Sequence, residues 1–383
     1  MGTIEHTFAE LFCGPGGLSS GFMAHAHGIM ADFPGFAANG DFHVYKPLWA
    51  LDSMPEAVQT YRKNHPGAEA VCMKAEHCDF STVPDVEGLL FGFPCNDFSA
   101  AGPRTGLKGT YGGLFKQGLR FIEEKDVDWW IAENVGGLRS DDNGRTINMM
   151  LDVMAECGSG YQVTAHFYHM EDYHIPQKRH RVIIVGIANR LGKKFHVPAP
   201  INLPRRQVQG ALVHIPGDCP NHEMPRHTRD VKKRLSLIPE GENVWYLETL
   251  EKRWVKKLEK CEDPELRHCL NELRRLMRKK TDVKHSYIYR RLKRDEPAYT
   301  VTGSGGGGTH MYHWEENRTM TNREKARIQT FADDFVFEGP TDAVRRQIGM
   351  AVPPFFAAII AWHFSKALAG EKYSSIEANI RKP

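Results

Sequence analysis

The stretch Phe8-Ala-Glu-Leu-Phe-Cys-Gly-Pro-Gly-Gly17 decides the fold of the first half of this 383-residue chain. An apolar run leads directly into Gly14, Gly16 and Gly17, and a helical pattern follows over Leu18–His27. Glycines at such a strand-to-helix turn let the backbone approach a ligand that faces the helix N-terminus. The pattern therefore predicts a βα unit with a nucleotide-like cofactor at its turn, although a lone glycine-rich turn is also a common purely structural feature.

Short apolar runs alternate with helical patterns over about the first 190 residues, as a parallel sheet covered by helices requires. The predicted strands are His6–Phe12, Leu48–Asp52, Gly88–Phe91, Trp129–Glu133 and Arg181–Ile187. The predicted helices between them include Met54–Asn64, Leu114–Glu124 and Thr146–Cys157. A doubly wound α/β domain is therefore expected.

The composition is that of an ordinary globular protein, with 41% hydrophobic and 25% charged residues. This balance excludes disorder, collagen and small disulfide scaffolds. The longest apolar run, Ala351–Trp362, is too short and too interrupted by proline to cross a bilayer, and we expect a cytoplasmic protein without a membrane partner. The eight cysteines form no C-x-x-C pair or Cys/His cluster, so we expect reduced thiols and no metal.

The net charge of +3 hides a strong asymmetry along the chain. Residues 193–294 carry 25 Lys and Arg against 13 Asp and Glu, a balance of +12, so the remainder carries −9. A basic segment beside an acidic catalytic part is typical of nucleic-acid-binding proteins. The alternative is a solvated helical surface, because Glu251–Lys280 alone has the pattern of a charged helix.

Three further motifs follow or precede apolar strands. Gly92-Phe-Pro-Cys-Asn-Asp-Phe-Ser99 places Cys95 at the start of a Gly-rich loop, where a thiol can act as a nucleophile, although a single Cys is more often a buried apolar residue. Trp129-Trp-Ile-Ala-Glu-Asn-Val135 brings Glu133 to the carboxyl edge where α/β sites are built. Gln177-Lys-Arg-His-Arg181 offers arginines for a phosphate, a base edge or plain surface charge.

The order and spacing of these motifs closely resemble the DNA cytosine-5 methyltransferases, and the resemblance extends over most of the chain. It implies a doubly wound Rossmann-like methyltransferase domain formed by residues 1–192 and 340–383. A second, smaller target-recognition domain over residues 193–339 would bind double-stranded DNA. The methyl donor implied by the resemblance is S-adenosylmethionine. Further stretches that match the family are Asp172–Gly186, Pro297–Gly308, Thr321–Phe335 and Gln347–Pro354.

Carried over residue by residue, the resemblance implies covalent catalysis by Cys95. The thiolate would add to C6 of cytosine and so raise the electron density at C5, which accepts the methyl group. Glu133 would supply a proton toward N3, and Arg181 would hold O2, with Arg179 in the same cluster. Because the target carbon lies inside a stacked duplex, the base would have to be flipped out. The expected DNA contacts in the loop after the nucleophile are Ser99, Arg104 and Lys108.

The cofactor roles implied by the resemblance centre on the glycine turn. Phe12 would stack on the adenine, the three glycines would approach the amino-acid portion, Asp52 would hold the ribose and Asp79 would contact the adenine amino group. The remaining pocket residues are expected to be Pro94, Leu114, Ala351 and Val352. Three departures from the family pattern are the long stretch Ala24–Pro47 before Asp52, Asn96 in place of Gln, and Met350 in place of Asn.

The resemblance further implies a monomer, associated with the nucleoid of a prokaryote, that works beside a separately acting cognate restriction endonuclease. Three other functions compete with this interpretation. Cytosine methylation in tRNA belongs to a branch of the family with a Cys-Phe-Thr signature, which this sequence lacks. A catalytically silent DNA-binding module would have no need of Cys95 or Glu133, and a nicotinamide oxidoreductase leaves the basic segment unexplained.

Overall fold

The computed structural model describes residues 2–26, 42–93, 112–138, 144–278, 289–303 and 311–380. Its strands are β1 Thr3–Leu11, β2 Phe42–Asp52, β3 Glu69–Cys72, β4 Gly88–Gly92, β5 Trp129–Val135, β6 Tyr161–His169, β7 Gln177–Lys178, β8 His180–Ala188, β9 Val197–Pro198, β10 Ala298–Tyr299 and β11 Ser375–Ile376. Its helices are α1 Gly17–Ala26, α2 Pro55–Asn64, α3 Gly112–Lys125, α4 Arg145–Glu156, α5 Val208–Ala211, α6 Arg229–Ser236, α7 Tyr246–Leu258, α8 Pro264–Arg278, α9 Asn322–Ile328, α10 Thr341–Met350 and α11 Pro354–Ala369.

A seven-stranded sheet with the order β3-β2-β1-β4-β5-β8-β6 forms the centre of the molecule. The first five strands in this order are parallel, and β8 is antiparallel to both of its neighbours. All five predicted strands and the three predicted helices are confirmed, although β2 begins at Phe42, six residues before its predicted start. The strand order reverses between β1 and β4, and the carboxyl ends at such a switch point are where open α/β sheets bind ligands.

Two apolar clusters cover the two faces of the sheet. One face packs against α3 and α4 through residues such as Phe121 and Leu151. The other packs against α1 and α11, where a Cβ on Gly21 would lie only 2.3 Å from the carbonyl oxygen of Pro354. The stretch Thr341–Ala369 is apolar and long enough to cross a membrane, but 83% of its most apolar window is buried inside the protein. It therefore packs as core, and it is two helices separated at Ala351–Pro353.

Just after residue 193 the chain still packs against the central sheet, and further along it forms separate small apolar clusters. Phe195 and Val197 belong to the cluster around α11, so the chain packs on the sheet past residue 193 before it departs. A separate small cluster joins α7 and α8 through residues such as Leu247 and Leu273. The predicted single charged helix over Glu251–Lys280 is wrong, because α8 restarts at Pro264 after a break and the described part of the stretch forms two packed helices.

Candidate active site

The glycine turn at the end of β1 adopts a backbone that few residues tolerate. Phe12, Gly14 and Gly16 have φ values of 57°, 53° and 92°, in the left-handed region. The backbone N–H of Gly14 donates to Asp52 Oδ2 at 2.8 Å, and Asp52 Oδ1 accepts from the N–H of Met54 at 2.8 Å. The carboxylate at the end of β2 thus holds the turn at the end of β1. Burial raises the pKa of Asp52, against the lowering effect of these hydrogen bonds.

Close packing explains why two of the three positions in the turn require glycine. A Cβ on Gly16 would lie 2.3 Å from His65 Cε1, and one on Gly17 would lie 2.3 Å from the carbonyl oxygen of Val352 and 3.2 Å from the Cβ of Ala351. These distances leave no room for a side chain. The predicted cofactor residues on β1, α1 and the segment before α11 are therefore neighbours in space.

The surroundings of Gly14 fit a bound nucleotide-like group. Apart from Gly14 itself and its two chain neighbours, no described residue has an atom within 4 Å of the position that its Cβ would occupy, although Gly14 is buried in the turn. The turn leads into the N-terminus of α1, where free backbone N–H groups and the helix dipole favour an anionic or polar group. Phe12 is half-buried and lies at the mouth of the same turn. Strained backbone at a ligand-binding turn is a common feature of functional sites.

Asp79 occupies a different position from the turn residues. It follows β3 by seven residues, is exposed, and accepts hydrogen bonds from both the backbone N–H and the hydroxyl of Ser81 at 3.1 and 2.7 Å. These bonds lower the pKa of Asp79. Its carboxylate is thus used as a local cap, and its contact with an adenine amino group stays a prediction. Leu114 lies half-buried near the start of α3.

Glu133 and Arg181 form an ion pair at the carboxyl edge of the sheet. Glu133 lies on β5, Arg181 is the second residue of β8, and Arg181 Nε is 2.7 Å from Glu133 Oε1. Both side chains are close to nine-tenths buried. The second carboxylate oxygen of Glu133 faces β4 and would lie 3.5 Å from a Cβ on Gly92, its partner in the sheet register. The pair therefore presents one carboxylate oxygen toward the strand that leads to Cys95.

Asn134 fixes the end of β4 against β5. Its amide donates to the carbonyl oxygen of Phe93 at 3.1 Å, and its side-chain oxygen accepts from the N–H of Val135 at 2.8 Å. The chain is thereby anchored two residues before Cys95. Cys95 itself lies outside the described residues, as do four other predicted site residues, Pro94, Ser99, Arg104 and Lys108.

Arg179 does not join the Glu133 cluster, contrary to the expectation from sequence. Its guanidinium is fully buried and donates to the carbonyl oxygens of Val301, Gly349 and Met350 at 3.1 to 3.4 Å. Neighbouring Gln177 accepts from the N–H of Val301 at 2.8 Å. The two arginines of this motif therefore have separate roles: Arg181 binds Glu133, and Arg179 secures the segment before α11.

A buried acidic residue behind the glycine turn was missed in the sequence. Glu10 is 2% exposed, accepts a short hydrogen bond from the Ser19 hydroxyl, and Ser19 also bonds to the hydroxyl of Tyr61 at 2.7 Å. Burial raises the pKa of Glu10 to about 8. A carboxyl group inside the otherwise apolar run Phe8–Phe12 is the signal that could have revealed it.

Many charges of the basic segment are used inside the fold. Arg234 and Arg291 are buried and donate to backbone carbonyl oxygens such as those of Leu276 and Ile238. Others pair with carboxylates, as Arg275 does with Asp230 at 2.9 Å. An exposed row remains along α7, which we term the α7 basic stripe; it consists of Lys252, Lys256 and Lys257.

The chain matches the model of the C-5 cytosine-specific DNA methylase family over residues 6–366. It is 40% identical to the Type II methyltransferase M.BbvI of Brevibacillus brevis, covering 96% of this chain and 93% of that protein. It is 34% identical to the Type II methyltransferase M.NgoFVII of Neisseria gonorrhoeae, covering 90% and 82%.

Solved structures agree on the fold. A DNA modification methyltransferase from an E. coli prophage superposes with a TM-score of 0.64 at 19% identity, covering 95% of this chain and 99% of that one. A methyltransferase of Entamoeba histolytica superposes with a TM-score of 0.60 at 13% identity, covering 96% and 98%. The mixed sheet with helices on both faces is therefore the Rossmann-like arrangement expected from the sequence.

Proposed function

We propose that the chain works by covalent catalysis on a flipped-out base. It belongs to the C-5 cytosine-specific DNA methylase family and is a DNA cytosine-5 methyltransferase of the Type II restriction-modification kind. The substrate in this proposal is a cytosine within a specific short sequence of double-stranded DNA. The observation that carries the proposal is the Glu133–Arg181 pair, which lies beside the strand that leads to Cys95.

Methyltransferases of this family use S-adenosylmethionine, which supplies an electrophilic methyl group. In our proposal the turn from Phe12 to Gly17 and Asp52 hold it, with Ala351 and Val352, which pack beside Gly17, lining the same pocket. Gly14 supports this assignment, because its backbone has a left-handed φ and the position that a Cβ would occupy is open space. Asp79, Pro94 and Leu114 complete the proposed pocket.

The role of the chain is to activate the cytosine ring. The Cys95 thiolate forms a bond to C6, and the electron pair of the C5–C6 double bond becomes available at C5. Glu133 in its protonated form donates a proton to N3 as the thiolate adds and takes it back when the aromatic ring is restored, while Arg181 orients that carboxyl group and holds the base O2. After C5 has taken the methyl group, water removes the C5 proton and the electron pair expels the Cys95 thiolate. The cycle thus restores the aromatic ring and the enzyme.

The Glu133–Arg181 geometry suits this division of tasks. Arg181 Nε occupies one carboxylate oxygen, and its guanidinium is further held by the carbonyl oxygen of His180 at 2.8 Å. The other oxygen of Glu133 stays directed toward β4. A carboxylate held on one side is preorganised to contact the base with the other, which reduces the reorganisation needed in the transition state.

In the same proposal the helical part of residues 193–339 binds DNA, and the α7 basic stripe contacts phosphates. Ser99, Arg104 and Lys108 bind the DNA backbone near the flipped base. Such contacts give affinity that depends on salt, while a few other side chains read base edges. A monomer with a separately acting restriction endonuclease remains our expectation for the assembly.

The test combines methyl transfer with site mapping. Tritiated S-adenosylmethionine and mixed-sequence DNA should yield label at C5 of cytosine, and Cys95→Ala should abolish transfer. Bisulfite sequencing of DNA from a methylation-negative host that expresses the chain should then reveal one recurring sequence context. Substantial transfer by Cys95→Ala would contradict the covalent route, and methylation in every context would contradict sequence specificity.

A further inference from the structure

Two histidines and a buried glutamate meet at the edge of the sheet beside the active site. His169 ends β6 and His180 begins β8, and the two are direct partners in the antiparallel register. Glu171 lies in the 3-10 turn Met170–Tyr173 that follows β6. Glu171 Oε1 is 2.9 Å from His180 Nε2 and 3.9 Å from His169 Nδ1. The three groups can each direct one ligand atom to a common point, with all of these atoms within 4.8 Å of one another.

We propose that His169, Glu171 and His180 bind a divalent transition-metal ion, with zinc as the best match. Two imidazole nitrogens and a carboxylate oxygen are a donor set suited to zinc, whereas calcium and magnesium prefer oxygen ligands alone. The site rests on these three side chains and not on the proposed methyl-transfer mechanism. Water or a fourth ligand would complete the coordination.

Two of the three ligand-atom separations are close to those of an occupied site. Zinc lies about 2.0–2.2 Å from such ligands, which places the ligand atoms of a tetrahedral site about 3.3 Å apart. The two separations to Glu171 Oε1, 2.9 and 3.9 Å, lie on either side of that value. The side chain of His169 is 48% exposed, so its ring can turn toward the ion without repacking the core.

The buried carboxylate is the second observation that favours a cation. The side chain of Glu171 is 6% exposed, and its Oε2 is buried without a hydrogen-bond partner among the described residues. The hydrogen bond with His180 satisfies Oε1 but leaves Oε2 without a partner among the described residues, which is costly for a buried polar group. A metal ion gives the carboxylate a compensating charge that both oxygens can approach.

The two histidine rings pack against Phe167. The ring of Phe167 meets the rings of His169 and His180 edge-on, with centroids 5.2 and 5.8 Å away. The N–H of Met170, in the same turn as Glu171, donates to the carbonyl oxygen of Arg179 at 3.0 Å. A metal ion would therefore join β6, the turn and the start of β8, the strand whose next residue is Arg181.

The experiment measures zinc binding by metal-free full-length protein, in competition with a chromophoric chelator and without DNA or methyl donor. The wild-type chain should bind one equivalent more than His169→Ala and Glu171→Gln. Loss of one of three ligands should weaken the site about 100-fold or more. The matched control is His77→Ala, which removes an exposed histidine elsewhere and should keep the full stoichiometry.

Cobalt(II) then identifies the ligands. The site should give visible bands of a four- or five-coordinate ion without the near-ultraviolet charge-transfer band of a cobalt–thiolate bond. Equal zinc stoichiometry in the wild type and both ligand variants would overturn the proposal, as would a thiolate band that accounts for all the bound cobalt. Because neither readout involves methyl transfer, failure here leaves the proposed function untouched, and the reverse also holds.

Discussion

Replacing Glu10 with glutamine should remove a pH dependence from the stability of the protein. Glu10 lies 2% exposed under the glycine turn, where burial raises the pKa of its carboxyl group to about 8 from an ordinary value of 4.5. The folded state therefore holds the proton more tightly than the unfolded state. The sign follows: stability associated with Glu10 is full at low pH and is lost as the pH rises from 4.5 toward 8.

The size of the effect follows from the same two pKa values. Between about pH 6 and about pH 8 the carboxyl group is ionised in the unfolded chain, whereas in the folded chain it changes from protonated to half ionised. At about 1.36 kcal/mol per pH unit, the linkage gives a loss of about 2 kcal/mol in the free energy of unfolding. In Glu10→Gln this loss disappears, while the amide oxygen can still accept the hydrogen bond from the Ser19 hydroxyl.

Urea unfolding at both pH values measures the difference directly. The control is Glu5→Gln, an exposed glutamate on the same strand, which should behave as the wild type. Comparison with the variant cancels the other titrating groups, including His65, whose pKa burial lowers to about 4. If Glu10→Gln and the wild type lost the same free energy between the two pH values, Glu10 would be ionised in the fold and the reasoning would be refuted.

Three further predictions concern the turn, the buried arginine and the basic segment. Gly16→Ala should lower the free energy of unfolding by at least about 1 kcal/mol and weaken cofactor binding in calorimetry. The reason is that the alanine Cβ would lie 2.3 Å from His65 Cε1, in a backbone with a φ of 92°. Unchanged binding and stability would refute the packing argument. Arg179→Lys should cost about 3 kcal/mol in urea unfolding, because a lysine cannot reach all three buried carbonyl oxygens, whereas the exposed Arg190→Lys should change little. Replacing all three lysines of the α7 basic stripe by glutamine should reduce the steepness of the slope of log K against log salt concentration for DNA binding by about 2.7. The exposed Lys372→Gln is the control. An unchanged slope would mean that the DNA phosphates do not contact the α7 basic stripe.

The sequence predicted five of the seven strands of the central sheet and missed β3 and β6. The apolar runs that became β1, β2, β4, β5 and β8 are buried on both faces, so their composition marks them clearly. By contrast, β6 was missed because Tyr161–His169 mixes polar and aromatic residues at the sheet margin. The break between α7 and α8 was also missed, although Pro264 is a normal first residue of a helix.

The positions of site residues could be predicted where neighbouring strands end side by side. They could not be predicted where tertiary packing determines the position of a side chain. The resemblance assigned Glu133 and Arg181 to the same base, and the antiparallel pairing of β5 and β8, which was not predicted, brings the two side chains into an ion pair. The separate burial of Arg179 could not be read from the same motif. Residues two apart in one strand share a face, but Arg179 lies between β7 and β8 and belongs to neither strand. The meeting of His169 with His180 also depends on an antiparallel register that local sequence does not reveal.

Covalent trapping tests the central claim most directly. A duplex in which every cytosine is 5-fluorocytosine should be incubated with the enzyme and S-adenosylmethionine, because fluorine at C5 blocks the final proton loss. We predict a one-to-one protein–DNA complex that survives denaturant, whose cross-linked peptide contains Cys95 and which Cys95→Ala does not form. Methyl transfer to ordinary DNA without any trapped complex, or a cross-link at another residue, would contradict the proposed mechanism.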